Sequence, residues 1–165
     1  MTVPDRLGAF DLQAYMDQNS IQGEIIRLDQ PTPTVPDAAR AVGAAPEQIV
    51  KTILFLVNGE PALGIAGGTT PIDRRVIAGQ YQVGRKQVKI APPETVLEIL
   101  GYPVGTVPPF GHRRKLPAML DQALLGLEEI YGGGGEINAL VRMAPAQLAE
   151  VTGAVITDLL SPPKS

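Results

Sequence analysis

Cysteine is absent from this 165-residue chain, and histidine occurs once, at His112. The first absence excludes disulfides, thiolate metal sites and a cysteine nucleophile, and it fits a reducing, cytoplasmic setting. A single imidazole excludes a multi-histidine metal site, and any Ser-His-Asp triad would have to use His112. Neither a metal nor a cofactor is expected. Tryptophan is also absent, and the four Tyr and three Phe are dispersed along the chain, too sparse for a platform that stacks single-stranded bases. No apolar run reaches the roughly eighteen residues of a membrane span, so no membrane partner is expected. Met1 to Phe10 carries Asp5 and Arg6 and has no apolar core, unlike a secretory signal. Positive charge is scarce as well. With a net charge of −3, any contact with RNA must be local rather than a general basic coat.

What remains is an ordinary globular composition, 44% hydrophobic and 19% charged. The 18 glycines and 16 prolines are scattered without a period and read as many turns. Leu7 to Asn19 has apolar residues near helical spacing, and Gly23 to Leu28 reads as a short strand. The proline-rich stretch from Gln30 to Pro36 continues neither element. A short helix is expected over Pro36 to Ala44 and a turn at Pro46. Ile49 to Val57 is the most apolar run; Asn58-Gly59 then separates it from Ala62 to Ala66, a hairpin signature. Asp73 suits the N-cap of a helix through Gln80, Lys86 to Ala91 reads as strand, and Pro93 to Leu100 as a helix closed by Gly101. Leu116 to Leu120, Glu128 to Tyr131 and Ile137 to Met143 read as strands. Pro145 to Thr152 reads as a last helix, with Val155-Ile156 as an edge. Strands and helices mix without regular alternation, which predicts an α+β fold in one domain over residues 1–165.

Four segments stand out chemically. Lys51 lies inside the apolar strand Ile49 to Val57, where an ammonium needs something polar to face it. It is either an edge lysine reaching water or a cation at the rim of a pocket, aimed at a phosphate or oxyanion. Lys51-Thr52 resembles the tail of a phosphate-binding P-loop, but Ala45 and Val50 occupy the positions where that motif needs glycine. The loop Gly105-Thr106-Val107-Pro108-Pro109-Phe110-Gly111 combines close-approach glycines with stiff prolines and suits a preorganised wall, or a plain crossover. Tyr131-Gly132-Gly133-Gly134-Gly135 reads as a hairpin tip, or as bare backbone against a ligand. His112-Arg113-Arg114-Lys115 is the densest basic cluster, either a solvated turn or a phosphate contact. No acid is evidently placed to orient His112 as a base.

Together these runs resemble the YbaK family, free-standing relatives of the editing domain of bacterial prolyl-tRNA synthetases. The ordered matches are Val50-Lys51-Thr52-Ile53-Leu54, Gly101-Tyr102-Pro103-Val104-Gly105, Pro109-Phe110-Gly111, Leu116-Pro117 through Asp121, and Met143-Ala144-Pro145 through Gly153. The resemblance implies a single compact domain with a mixed sheet or partial barrel flanked by helices. It also implies metal-independent, trans-acting hydrolysis of the ester in mischarged aminoacyl-tRNA. Its implied partners are the acceptor end of that RNA and, as a further candidate, an aminoacyl-tRNA synthetase. Lys51 would be the functional cation. Thr52, Gly105 to Gly111, Gly133 and Gly134 would bound the substrate pocket, and His112 to Lys115 would hold RNA. The chain departs from cysteine-removing members, which carry an Asp where this chain has Leu140, and from alanine-removing members, which have Asn where it has Thr52. The alternative is a noncatalytic module that binds a nucleotide or aminoacyl-tRNA on the same fold.

Overall fold

Helix α1 (Ala9–Gln18) leads to strand β1 (Glu24–Arg27). Helix α2 (Val35–Val42) starts at Thr34, whose hydroxyl accepts from the Asp37 N–H at 3.2 Å. A 3-10 turn at Pro46–Gln48 delivers the chain to β2 (Val50–Val57), which returns as β3 (Glu60–Gly67). Between them Asn58 and Gly59 hold φ of 51° and 84°, the positive values that a two-residue hairpin turn requires. Asp73 caps α3 (Arg74–Tyr81) by accepting from the Arg75 N–H at 2.9 Å. Strand β4 (Val88–Ile90), helix α4 (Pro93–Leu100) and strands β5 (Ala118–Asp121), β6 (Ile130–Gly133) and β7 (Ala139–Met143) follow. Helix α5 (Pro145–Thr152) and strand β8 (Val155–Thr157) complete the order. This computed structural model describes residues 5–161; the expected domain also takes in residues 1–4 and 162–165, which lie outside the described residues.

The strands form an antiparallel sheet ordered β1-β7-β6 and a mixed sheet ordered β4-β2-β3-β5-β8, in which β3–β5 and β5–β8 are parallel. A parallel bridge between Ile49 and Tyr131 links the two. Five helices accompany these sheets, the mixed α+β arrangement expected. Strand β2 divides two apolar cores. Val50 and Leu54 enter one with Leu12, Ile65, Leu120 and Leu148. Phe55 and Val57 enter the other with Ile77, Met119 and Leu159. Leu12, Ile65 and Leu120 are fully buried, and each such side chain contributes roughly 1.5–3 kcal/mol of transfer free energy. A β-strand buried on both faces holds its side chains in fixed directions, so whatever interrupts the apolar pattern of β2 is aimed.

Some expected boundaries shift for identifiable reasons. The strand expected over Lys86 to Ala91 is a 3-10 turn at Arg85–Gln87 followed by only three strand residues. Its pairing with β2 ends where the Ala91 N–H reaches the Leu54 carbonyl at 2.9 Å, because Pro92 next in the chain has no N–H to donate. Ile137 and Asn138 belong to the turn before β7 rather than to the strand. The 3-10 segment Gln122–Gly126, which buries Leu124, was not anticipated.

Candidate functional site

The two sheets diverge around a cavity of about 320 Å³, at the small end of the roughly 300–1,000 Å³ typical of ligand pockets. One wall is β2 from Val50 to Leu54 with Ile90, Ala91 and Val96. The second is the segment Thr32 to Val35 with Ala38. The third combines Val104, Gly105 and Val107 with Gly132 and Gly133, and Ala139 with Leu140 close it. Among the described residues, Lys51 is the only titratable side chain in this lining. The cavity is therefore suited to an uncharged group, with one cation at its edge.

Lys51 leaves β2 half-buried, and its Nζ donates to the carbonyl of Gly68 at 3.0 Å and to that of Thr70. The ammonium is thus fixed by the chain that follows β3. Burial holds its pKa below the ordinary lysine value, partly offset by the negative charge of Asp121. The strand places the neighbouring Thr52 on the opposite face, where its hydroxyl is buried without a hydrogen-bond partner among the described residues.

The loop after α4 is braced at several points. Thr106 turns inward, its hydroxyl donating to the Pro103 carbonyl at 2.8 Å, while its own carbonyl accepts from the Gly135 N–H at 3.0 Å. Gly105 holds φ of +94° with open space around it, a conformation that favours glycine. Glycine is required at β6 for a different reason. A Cβ on Gly133 would stand 2.2 Å from the Val107 carbonyl oxygen, and one on Gly132 would stand 2.8 Å from Pro109 Cδ. The glycines let the loop lie directly on the strand, and that contact shapes the cavity wall. Gly132 and Gly133 belong to the β6–β7 hairpin and also line the cavity.

The structure brings together Lys51, Thr52, Gly105, Val107 and Gly133 of the expected site. It does not bring the others to the cavity. Thr106 and Pro108 are buried behind it, and Pro109 packs on Gly132. Phe110 enters the core beside Tyr15, with ring centroids 6.1 Å apart. Gly111 lies over Leu12 and Tyr15, and Gly134 packs on the Ala139 backbone. The basic run also stands apart. The His112 Nε2–H donates to the Pro108 carbonyl at 2.6 Å, and burial pushes its imidazole pKa down. Arg113 donates to the carbonyls of Asp5 and Glu98 and Lys115 to that of Val151, all three on the main chain. Arg114 is exposed, and none of the four residues lines the cavity. The sequence reading missed the wall from Thr32 to Val35 and the contributions of Ile90, Ala91 and Val96. The Thr34 cap with Asp37 three residues on was the one local sign of order there. Leu140 and Thr52, the two positions of departure, both lie in the lining.

Among the described residues, no three of His, Cys, Asp and Glu gather as metal ligands, and no helix is long and apolar enough to cross a membrane. A family model described as an aminoacyl-tRNA editing domain matches residues 29–151, from before the Thr32 wall through Lys51 to α5. The protein YwhH of Bacillus subtilis (strain 168) is 26% identical over 140 residues, covering 84% of this chain and 87% of that protein. The proline–tRNA ligase of Thermotoga neapolitana is 28% identical over 109 residues, covering 64% of this chain but 18% of the ligase. The solved structure of a candidate trans-editing enzyme for prolyl-tRNA synthetase has a TM-score of 0.87 at 34% identity, covering 93% of this chain and 97% of that one. By the span of the family match and by a fold shared over nearly its whole length, this chain belongs to the aminoacyl-tRNA editing domain family.

Proposed function

We propose that the protein is a trans-acting deacylase that hydrolyses the ester between an amino acid and the terminal ribose of a mischarged transfer RNA. One observation carries this reading: an uncharged cavity, walled by backbone held in place on three sides, has a fixed ammonium at its edge. The side chain of the amino acid enters the apolar cavity, and Lys51 meets the phosphate or the oxyanion that develops on the ester carbonyl. Water adds to that carbonyl, the bond to the ribose oxygen breaks, and the amino acid leaves as its carboxylate with a free ribose hydroxyl. Among the described residues, the lining holds no carboxylate or imidazole. The proton of the attacking water therefore passes to solvent or to a group that the substrate brings. An editing step of this kind answers a physical limit, since a hydrophobic pocket separates substrates differing by one methylene by only about 1–3 kcal/mol.

The test is single-turnover release from a panel of mischarged transfer RNAs, with and without chelator. Release of at least one amino acid, unaffected by chelator, is expected. Saturable binding without release from any member of the panel would favour the noncatalytic module instead. Lys51→Ala should slow release by ~10²-fold or more, as when one preorganised electrostatic group is lost. Lys51→Arg should rescue poorly, because the planar guanidinium does not fit the point-like site between two carbonyls. A near wild-type rate in Lys51→Ala would remove Lys51 from the reaction.

A further inference from the structure

On the far side of Lys51 lies a second concavity of about 640 Å³, lined by Ile53, Ile72, Asp73, Arg74, Arg75 and Arg85 among others. Lys51, Ile53 and Ile90 line both cavities, so they form the ridge between the two. Four cations face one carboxylate in this trough, a local charge of +3 in a chain whose net charge is −3. The carboxylate is already engaged. Asp73 accepts from the Arg75 guanidinium at 3.1 and 3.2 Å while capping α3, and this pairing lowers its pKa. Among the described residues, Arg74 and Arg85 take part in no ion pair. On the ridge, Ile90 is 52% exposed, an apolar contact between a charged trough and an apolar cavity.

We propose that this trough holds the phosphates of the RNA strand whose aminoacylated end enters the cavity, with Arg74 and Arg85 as the principal contacts. The proposal rests on the deacylase reading and deepens it by assigning the RNA surface. Charge concentrated in a concavity focuses its field more than charge on an open turn does. Guanidinium forks match phosphate oxygens, and two of them here are uncommitted. The order of surfaces also follows the order of the substrate: apolar cavity for the amino acid's side chain, apolar ridge at Ile53 and Ile90 for the terminal nucleoside, cationic trough for the phosphates behind it. By contrast, Arg113 and Lys115 are committed to main-chain carbonyls and line neither cavity.

The probe is a fluorescein-labelled RNA acceptor hairpin with a single-stranded CCA end, bound to the full-length protein between roughly 50 and 200 mM salt. Arg74→Ala/Arg85→Ala should lose about 1.4–1.8 units of the log–log salt slope, as expected for two phosphate contacts. In release assays the same variant should raise KM more than it lowers kcat. Arg74→Lys/Arg85→Lys, which keeps the charge, should keep the slope, and a wild-type Tm in the Ala variant shows that its loss is not misfolding. Arg113→Ala/Arg114→Ala should keep the wild-type slope. If the wild type releases amino acid and Arg74→Ala/Arg85→Ala keeps its slope, the trough assignment fails while the deacylase reading stands. Failure of the wild type to bind the hairpin or release amino acid from any substrate would overturn both. Equal competition by poly-glutamate of matched charge would make the trough a general acidic-peptide site and overturn the assignment to RNA.

Discussion

Gly133→Ala tests whether the contact between the β6 glycines and the loop over them shapes the site. The added Cβ would lie 2.2 Å from the Val107 carbonyl oxygen, 2.8 Å from its carbon and 3.1 Å from the Thr106 oxygen. All three are backbone atoms, so no side-chain rotation relieves the contact. Carbon–oxygen contacts settle at ~3.3 Å or more, so the loop must retreat by about 1 Å. That movement pulls Thr106 away from the Gly135 N–H, now at 3.0 Å. Overpacking of this kind costs about 1–3 kcal/mol, which for a domain of this size is a fall of roughly 2–12 °C in Tm. The effect on release should be larger in proportion, because a misplacement of ~1 Å can cost 10²-fold. Gly79→Ala is the matched control. It lies within α3 with nothing inside 4 Å of the added Cβ, and should stabilise by about 0.5–1 kcal/mol at unchanged rate. Thermal melts and single-turnover release read both quantities. Wild-type Tm and rate in Gly133→Ala would refute the packing argument. A lowered Tm at full rate would show that the loop matters to the fold but not to the site.

Tyr102 is fully buried, its hydroxyl has no partner among the described residues, and burial pushes its pKa up. Tyr102→Phe should therefore leave Tm equal or raise it, by up to about 1–3 kcal/mol of recovered desolvation; a clear fall would mean that the hydroxyl has a role in the fold. Burial lowers the His112 pKa in the folded state, so below ~6.5 the unfolded chain takes up a proton that the folded chain resists. Wild-type stability should fall as pH drops through that region, and His112→Gln should lack this component; parallel melts of the two proteins from neutral to mildly acidic pH would contradict it. Lys51 is also lowered, so RNA binding and release that need its charge should decline on raising pH before ordinary lysines titrate. The same decline in Lys51→Ala, after subtraction of uncatalysed ester loss, would assign it to another group.

Much of the local structure was legible before the fold was known, because its causes are local. The Asn58-Gly59 turn, the caps at Asp73, Gly101 and Gly153, and the bounds of α4 and α5 follow from backbone preferences and side-chain to backbone bonds within a few residues. Lys51 was visible for the same reason: a cation in an apolar strand is an anomaly in any fold. The ordered runs from Val50 to Gly153 also carried the family resemblance. What lay beyond the sequence depends on which distant segments pair. The parallel pairings β3–β5 and β5–β8 and the bridge from Ile49 to Tyr131 have no local signature. The order β1-β7-β6 and that bridge decide that Thr32 to Val35 and Gly133 line one cavity. Tertiary packing also turns Phe110 into the core, and the pairing of β4 with β2 brings Arg85 to the trough that Arg74 and Lys51 line, while the more conspicuous His112 to Lys115 run lines neither that trough nor the cavity. Charge density along a chain is a one-dimensional quantity; a binding surface is set by how elements pack, and here α3 and the pairing of β4 with β2 bring Arg74 and Arg85 to one trough with Lys51.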